Sequence, residues 1–151
     1  MLTKPQILHE TRNGIARYPI EDAMLKNRTV VLMGPVDEQC VDSLICQLLY
    51  LEDKAPGKEI RILINSGGGE VSRGLALYDV MQSITSPIHT VCIGTAASMA
   101  AVLFAAGDKR ELYPHSKIMI HDPSIAGTLF SKALELKNIS DSLLYTNIPL
   151  P

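Results

Sequence analysis

The chain switches between two hydrophobic periods. Residues 29–33 (TVVLM) are a short β-branched run, which predicts a buried strand. Residues 41–51 (VDSLICQLLYL) place apolar side chains at helical spacing, and Pro56 and Gly57 break the pattern. A second strand is expected at 60–64 (IRILI), with Gly67, Gly68 and Gly69 directly after it. From 71 to 84 the period is helical again. Val71, Leu75, Tyr78 and Met81 recur at steps of three and four and are predicted to share one face. Pro87 ends that helix, 88–93 reads as a third strand and 98–106 as a third helix. Short strands are expected at 111–113 and 117–121, and a last helix at 129–144. Residues 1–18 are polar, carry Pro5 and Gly14, and read as an N-terminal arm or loop ahead of one domain over 19–151.

Strand–helix–strand–helix order predicts an α/β fold with right-handed crossovers. In such folds chemistry gathers at the C-terminal ends of strands. That rule selects the Gly67–Gly69 loop and the turn from Gly94 to Ser98, which follow successive strands and should be neighbours. A chain of 151 residues fits one domain with a modest core. Its net charge of −2, without a run of either sign, and its lack of tryptophan argue against a nucleic-acid partner. No apolar run is long enough for a membrane span, and the polar start, MLTKPQILHETRNG, shows no signal peptide. Cys40, Cys46 and Cys92 are odd in number and lack CxxC spacing, so no disulfide framework or zinc site is expected. They read as small buried residues of a reducing compartment, and the expected location is the cytoplasm.

The segment GTAASMAAVLFAAG holds one hydroxyl near its start, Ser98. A serine at a helix mouth is either an ordinary N-cap or a nucleophile held where free amides favour negative charge. If it is a nucleophile, Met99 N–H is one oxyanion donor, and Gly69 N–H, in the loop NSGGGE, is a second. The loop is neither a P-loop nor G-x-G-x-x-G. His121, at the end of HSKIMIHD, falls at the C-terminal end of a predicted strand and is the candidate general base. His115 reads as a surface residue, and His9 and His89 are given no role. The triad acid stays unassigned. Asp122 would point to the opposite face of the strand from His121, and nothing fixes the direction of Asp141.

Together, INSGGGEV after a strand, GLALYDVMQ, GTAASMAAVLFAAG and PHSKIMIHDP resemble the proteolytic subunit of the ATP-dependent Clp protease. LKNRTVVLMGPVDEQCVDSLICQLLYLE also fits, as an N-terminal strand and helix, and the resemblance runs from about Tyr18 to Leu144. It implies the Clp protease/crotonase-like fold, with Ser98 as nucleophile, His121 as base, and the Gly69 and Met99 amides as oxyanion hole. It implies a serine endopeptidase assembled from two stacked heptameric rings of self or paralogous subunits, with residues 1–18 either partly trimmed or forming axial loops. An AAA+ unfoldase would feed unfolded proteins to it, and neither a metal nor an organic cofactor would take part.

The chain departs from the family pattern in three places. Gly67 stands where the family usually carries proline, so the loop is expected to be looser. Glu70 stands where a small or apolar residue is usual, and a carboxylate there would oppose an oxyanion unless turned to solvent. The chain ends at Pro151, 30 residues beyond His121, before the position of the family's triad acid, and so reads as C-terminally truncated. Two alternatives follow: an inactive or non-catalytic Clp-type subunit, and a crotonase-like acyl-CoA enzyme for which Glu70 is the foothold.

Overall fold

The computed structural model describes residues 5–121 apart from Asn13. The chain divides into two compact units, Met1–Met119 and Ile120–Pro151, each described by itself. The helix expected at 129–144, Asp122 and Asp141 lie outside the described residues.

The N-terminal arm forms a hairpin. β1 (Gln6–Thr11) pairs antiparallel with β2 (Gly14–Pro19), with Ile7 opposite Tyr18 and Thr11 opposite Gly14. A short helix, α1 (Ile20–Lys26), follows; it buries no residue fully, and its Leu25 packs on the core from outside. Sequence periodicity predicts neither element, because both are short and mostly exposed.

β3 (Thr29–Met33) and β4 (Ile60–Ser66) pair in parallel with Val31 beside Leu63. Their alternate residues Val30, Leu32, Ile60, Ile62 and Ile64 are all at most 3% exposed, the signature of strands with one face on the core. α2 (Glu38–Lys54) opens with Asp37, whose carboxylate accepts the Cys40 N–H at 2.9 Å. It buries Val41, Leu44, Leu48 and Leu51, each worth roughly 1.5–3 kcal/mol of transfer free energy.

α3 (Val71–Ser83) buries Gly74, Leu77 and Met81. The predicted face is therefore rotated: Met81 belongs to it, whereas Val71, Leu75 and Tyr78 flank it, half-buried. The reason is Gly74, which carries no apolar side chain to count yet sits where the side chain of Met99 fills the space a Cβ would take.

β5 (Ile88–Ala97) is longer than the six residues its pattern predicts. α4 (Met99–Ala105), β6 (Lys109–Leu112) and β7 (Lys117–Met119) follow. The parallel sheet has the order β3-β4-β5-β6, with β7 also paired to β5. β4 holds one edge of β5, so β6 and β7 share the other. β6 pairs with His89–Cys92, and β7 with Thr95–Ala97. The strand expected at 117–121 stops at Met119. α2 packs on α3, and α3 on α4.

The cysteines are free, but only Cys92 is buried; Cys40 is half-buried and Cys46 exposed. Cys46 falls between Leu44 and Leu48 on α2 and so turns away from the core they enter. His115 is exposed in the turn before β7. His89, given no role by its sequence context, is buried in β5, with Nδ1 3.6 Å from Glu59 and Nε2 3.3 Å from Glu111.

Candidate active site

β5 delivers Ser98, and α4 begins at the next residue. Ser98 has φ 52° and ψ −125°, a left-handed conformation that a non-glycine residue adopts at a cost of roughly 1–3 kcal/mol. Its backbone is held on both sides. Its N–H donates to Met119 O of β7 at 2.8 Å, and its carbonyl accepts from Ala101 N at 2.9 Å and Val102 N at 3.3 Å. Ser98 occupies the N-cap position, yet its hydroxyl makes no capping bond. The ordinary explanation for a serine here therefore does not apply, and the half-buried Oγ stays available for chemistry.

The glycine loop meets this turn. Gly68 has φ +90°, and a Cβ built on it would stand 2.5 Å from Ala97 O, 2.7 Å from Ser98 Cβ and 3.0 Å from Met99 N. The two loops that the strand order selects are neighbours as expected. Gly68 N donates to Ser66 Oγ at 3.1 Å, and Gly68 O accepts from Val36 N at 2.9 Å. Glu70 N donates to Val36 O at 2.8 Å, and Val36 and Gly69 form an isolated parallel bridge. In that pattern the groups of Gly68 and Glu70 face Val36, so the N–H of Gly69 points the other way. A Cβ at Gly69 would collide with the backbone carbonyl of Val36. Among the described residues neither the Gly69 N–H nor the Met99 N–H has an acceptor. The latter is one of the donors that any helix start leaves open.

Glu70 does not oppose this arrangement. Its side chain is 61% exposed and lies 3.9 Å from Arg73, which pairs more closely with Glu38, at 2.7 Å. Gly67 has open space around its Cβ position and no left-handed φ, so nothing local requires glycine there.

The structure thus brings Gly68 against Ser98 and Met99, with Gly69 the next residue along the loop. His121 is exposed and lies beyond β7, in the second compact unit. Sequence reading missed two contributors: Gly68, whose conformation carries the loop against the turn, and Asn65, whose Oδ1 accepts Thr95 N–H at 3.0 Å. Their signal was present as an asparagine and a glycine run at a strand end, but not their contact with a segment about thirty residues on.

A cavity of about 830 Å³ lies elsewhere, between α1, β3 and α2, and includes none of these residues. Cys40 lines it. Burial, and then the Asp37 carboxylate, push that thiol above its ordinary range, so it is not a ready thiolate nucleophile at neutral pH. Among the described residues no group of three His, Cys, Asp or Glu side chains could hold a metal ion. No described helix is long and apolar enough to cross a membrane.

A parallel α/β protein with a strained serine between strand and helix, faced by a glycine loop with a free amide, holds the kinds of group that acyl transfer uses, a hydroxyl and unpaired backbone N–H groups. Residues 12–148 match the model of the Clp protease family, and the chain belongs to that family. Its class is accordingly that of a Clp-type peptidase with the Clp protease fold.

Proposed function

We propose that this chain is a proteolytic subunit of an ATP-dependent Clp protease. It is a serine endopeptidase that cuts unfolded proteins to short peptides. It works within stacked heptameric rings of self or paralogous subunits, fed by an AAA+ unfoldase in the cytoplasm. The observation that supports the reading is the geometry of Ser98: a left-handed strand-to-helix turn, a hydroxyl free of capping duty, and the glycine loop packed against it through Gly68. The unpaired thiols of Cys40, Cys46 and Cys92 suit a reducing compartment.

In this mechanism Ser98 Oγ attacks the scissile carbonyl. His121 takes the hydroxyl proton and returns it to the leaving amine. The Gly69 and Met99 N–H groups receive the charge that develops on the carbonyl oxygen, an interaction strongest in the transition state. Water then attacks the acyl-enzyme with His121 again as base. The acid that orients His121 is unassigned. Glu70, the residue an acyl-CoA chemistry would use, is engaged with Arg73 and solvent, which favours the peptidase reading.

The test is labelling with a fluorophosphonate probe, with Ser98→Ala as control and native mass spectrometry on the same sample. Labelling at Ser98 that is lost in Ser98→Ala is expected, in a ring-sized assembly. An unlabelled chain in a ring would be a non-catalytic subunit, and an unlabelled monomer would refute both the activity and the assembly.

A further inference from the structure

The position of Ser98 depends on an irregularity just upstream in β5. The β4–β5 ladder runs in register to Ile64 beside Cys92 and resumes with Ser66 beside Ala96. One residue of β4, Asn65, therefore spans three of β5: Ile93, Gly94 and Thr95. Such a bulge removes ladder partners from backbone groups, which must be satisfied in another way. Here Asn65 Oδ1 accepts the Thr95 N–H at 3.0 Å. The carboxamide is packed against Gly94, where a Cβ would stand 2.5 Å from Oδ1 and 2.9 Å from Cγ. Asn65 is fixed from behind as well, because its carbonyl accepts the Gly34 N–H at 3.2 Å.

We propose that Asn65 and Gly94 form a register lock that makes Asn65 a positioning residue for Ser98. Thr95 is three residues before Ser98, and a slip of one residue would reverse the faces of everything after the bulge. The lock holds the extra residues of β5 in one arrangement, so Ala97 reaches Gly68 and Ser98 enters its left-handed turn at one place. The side chain suits the task chemically. Two residues before the glycine loop, a neutral amide supplies an acceptor without bringing a second carboxylate near amides that must receive negative charge. Asn65 acts through Thr95 and touches no reacting group. The proposal rests on the peptidase reading of Ser98.

The experiment uses the full chain and the variants Asn65→Ala, Gly94→Ala and the double variant, well below the melting temperature of each. Two quantities are measured: the rate of fluorophosphonate labelling at Ser98, and hydrogen exchange of the Thr95 amide. Asn65→Ala should slow labelling roughly 10- to 100-fold, the scale expected for a displacement of about 1 Å at a reacting group. Gly94→Ala should do the same by displacing the carboxamide, and the double variant should be no slower than the worse single, since both remove one device. Thr95 exchange should quicken in all three. Asn65→Asp, which keeps an acceptor, should restore Thr95 protection. Wild-type labelling by folded Asn65→Ala, or single losses that multiply in the double variant, would overturn the proposal. If the unaltered chain is not labelled, the peptidase reading fails separately. Thr95 exchange then still decides the lock, and unchanged protection in Asn65→Ala would refute it.

Discussion

Replacing Gly68 with alanine tests the contact on which the site depends. The residue has φ +90°, where an L side chain costs roughly 1–2 kcal/mol. The added methyl would also stand 2.5 Å from Ala97 O and 2.7 Å from Ser98 Cβ. Relief by moving the loop is obstructed, since Gly68 is tied through its N–H to Ser66 and through its carbonyl to Val36. Breaking one of those bonds costs about 1 kcal/mol, and overpacking without relief about 1–3. Gly68→Ala should therefore lose about 2–5 kcal/mol, which lowers the melting temperature of a chain this size by roughly 4–20 °C. Gly67→Ala, one residue earlier, is the internal control. It meets no atom within 4 Å and has no left-handed φ, so it should be neutral or gain about 0.4–1 kcal/mol through the unfolded chain. Urea unfolding followed by circular dichroism reads stability, and fluorophosphonate labelling of the folded protein reads the position of Ser98. Gly68→Ala with wild-type midpoint and labelling would refute the close approach of loop and turn. Equal losses in both variants would refute the claim that position 68, rather than the glycine run as a whole, sets the geometry.

Two further predictions concern packing and pH. Gly74→Ala on α3 should destabilise by about 1–2 kcal/mol despite the better helix propensity of alanine, because the methyl enters the space of the Met99 side chain; in a Met99→Ala background the same change should become stabilising, as a double-mutant cycle by urea unfolding would read. Glu52 takes hydrogen bonds from Ser86 and Thr85, which lower its carboxyl to about 2 from an ordinary value of 4.5. A carboxyl depressed in the folded state stabilises above its unfolded value and loses that contribution as pH falls toward the folded one. The gap in urea midpoint between wild type and Glu52→Gln should therefore be full at pH 6 and shrink between about pH 4.5 and 2. A gap unchanged at pH 3 would contradict it.

Much of the sheet could be read from residues that alternate or cluster strongly. TVVLM and IRILI became β3 and β4 within two residues of their expected ends. The hairpin β1–β2 was missed because its strands are exposed, although Asn13-Gly14 is a turn signal in the sequence. α1 was missed because seven residues with none buried leave no periodic trace. The extra length of β5 was missed for a different reason. Its bulge is stabilised by a side chain on β4, a contact between Asn65 and Thr95 that no local period encodes. The face of α3 was misjudged because a buried glycine is invisible to a count of apolar side chains.

The chemistry was legible as residue types and not as geometry. Ser98 at a helix mouth has two readings of equal economy, cap and nucleophile. What bears on the choice is an unused hydroxyl on a strained backbone, which only three dimensions display. The glycine run gives the sharper case. In the sequence GGG is one motif, and in the structure its three positions are constrained differently. Position 68 needs glycine for its φ and for the approach of Ser98, and position 69 needs it because the Val36 backbone occupies the space of a side chain. Position 67 needs it for neither reason. The glycine found there in place of the family's usual proline therefore need not distort the turn. Its effect falls on the unfolded chain, which has more conformations to lose. The departure at Gly67 is thus a small change in stability, while the amide geometry next to it is fixed by Gly68 and Gly69.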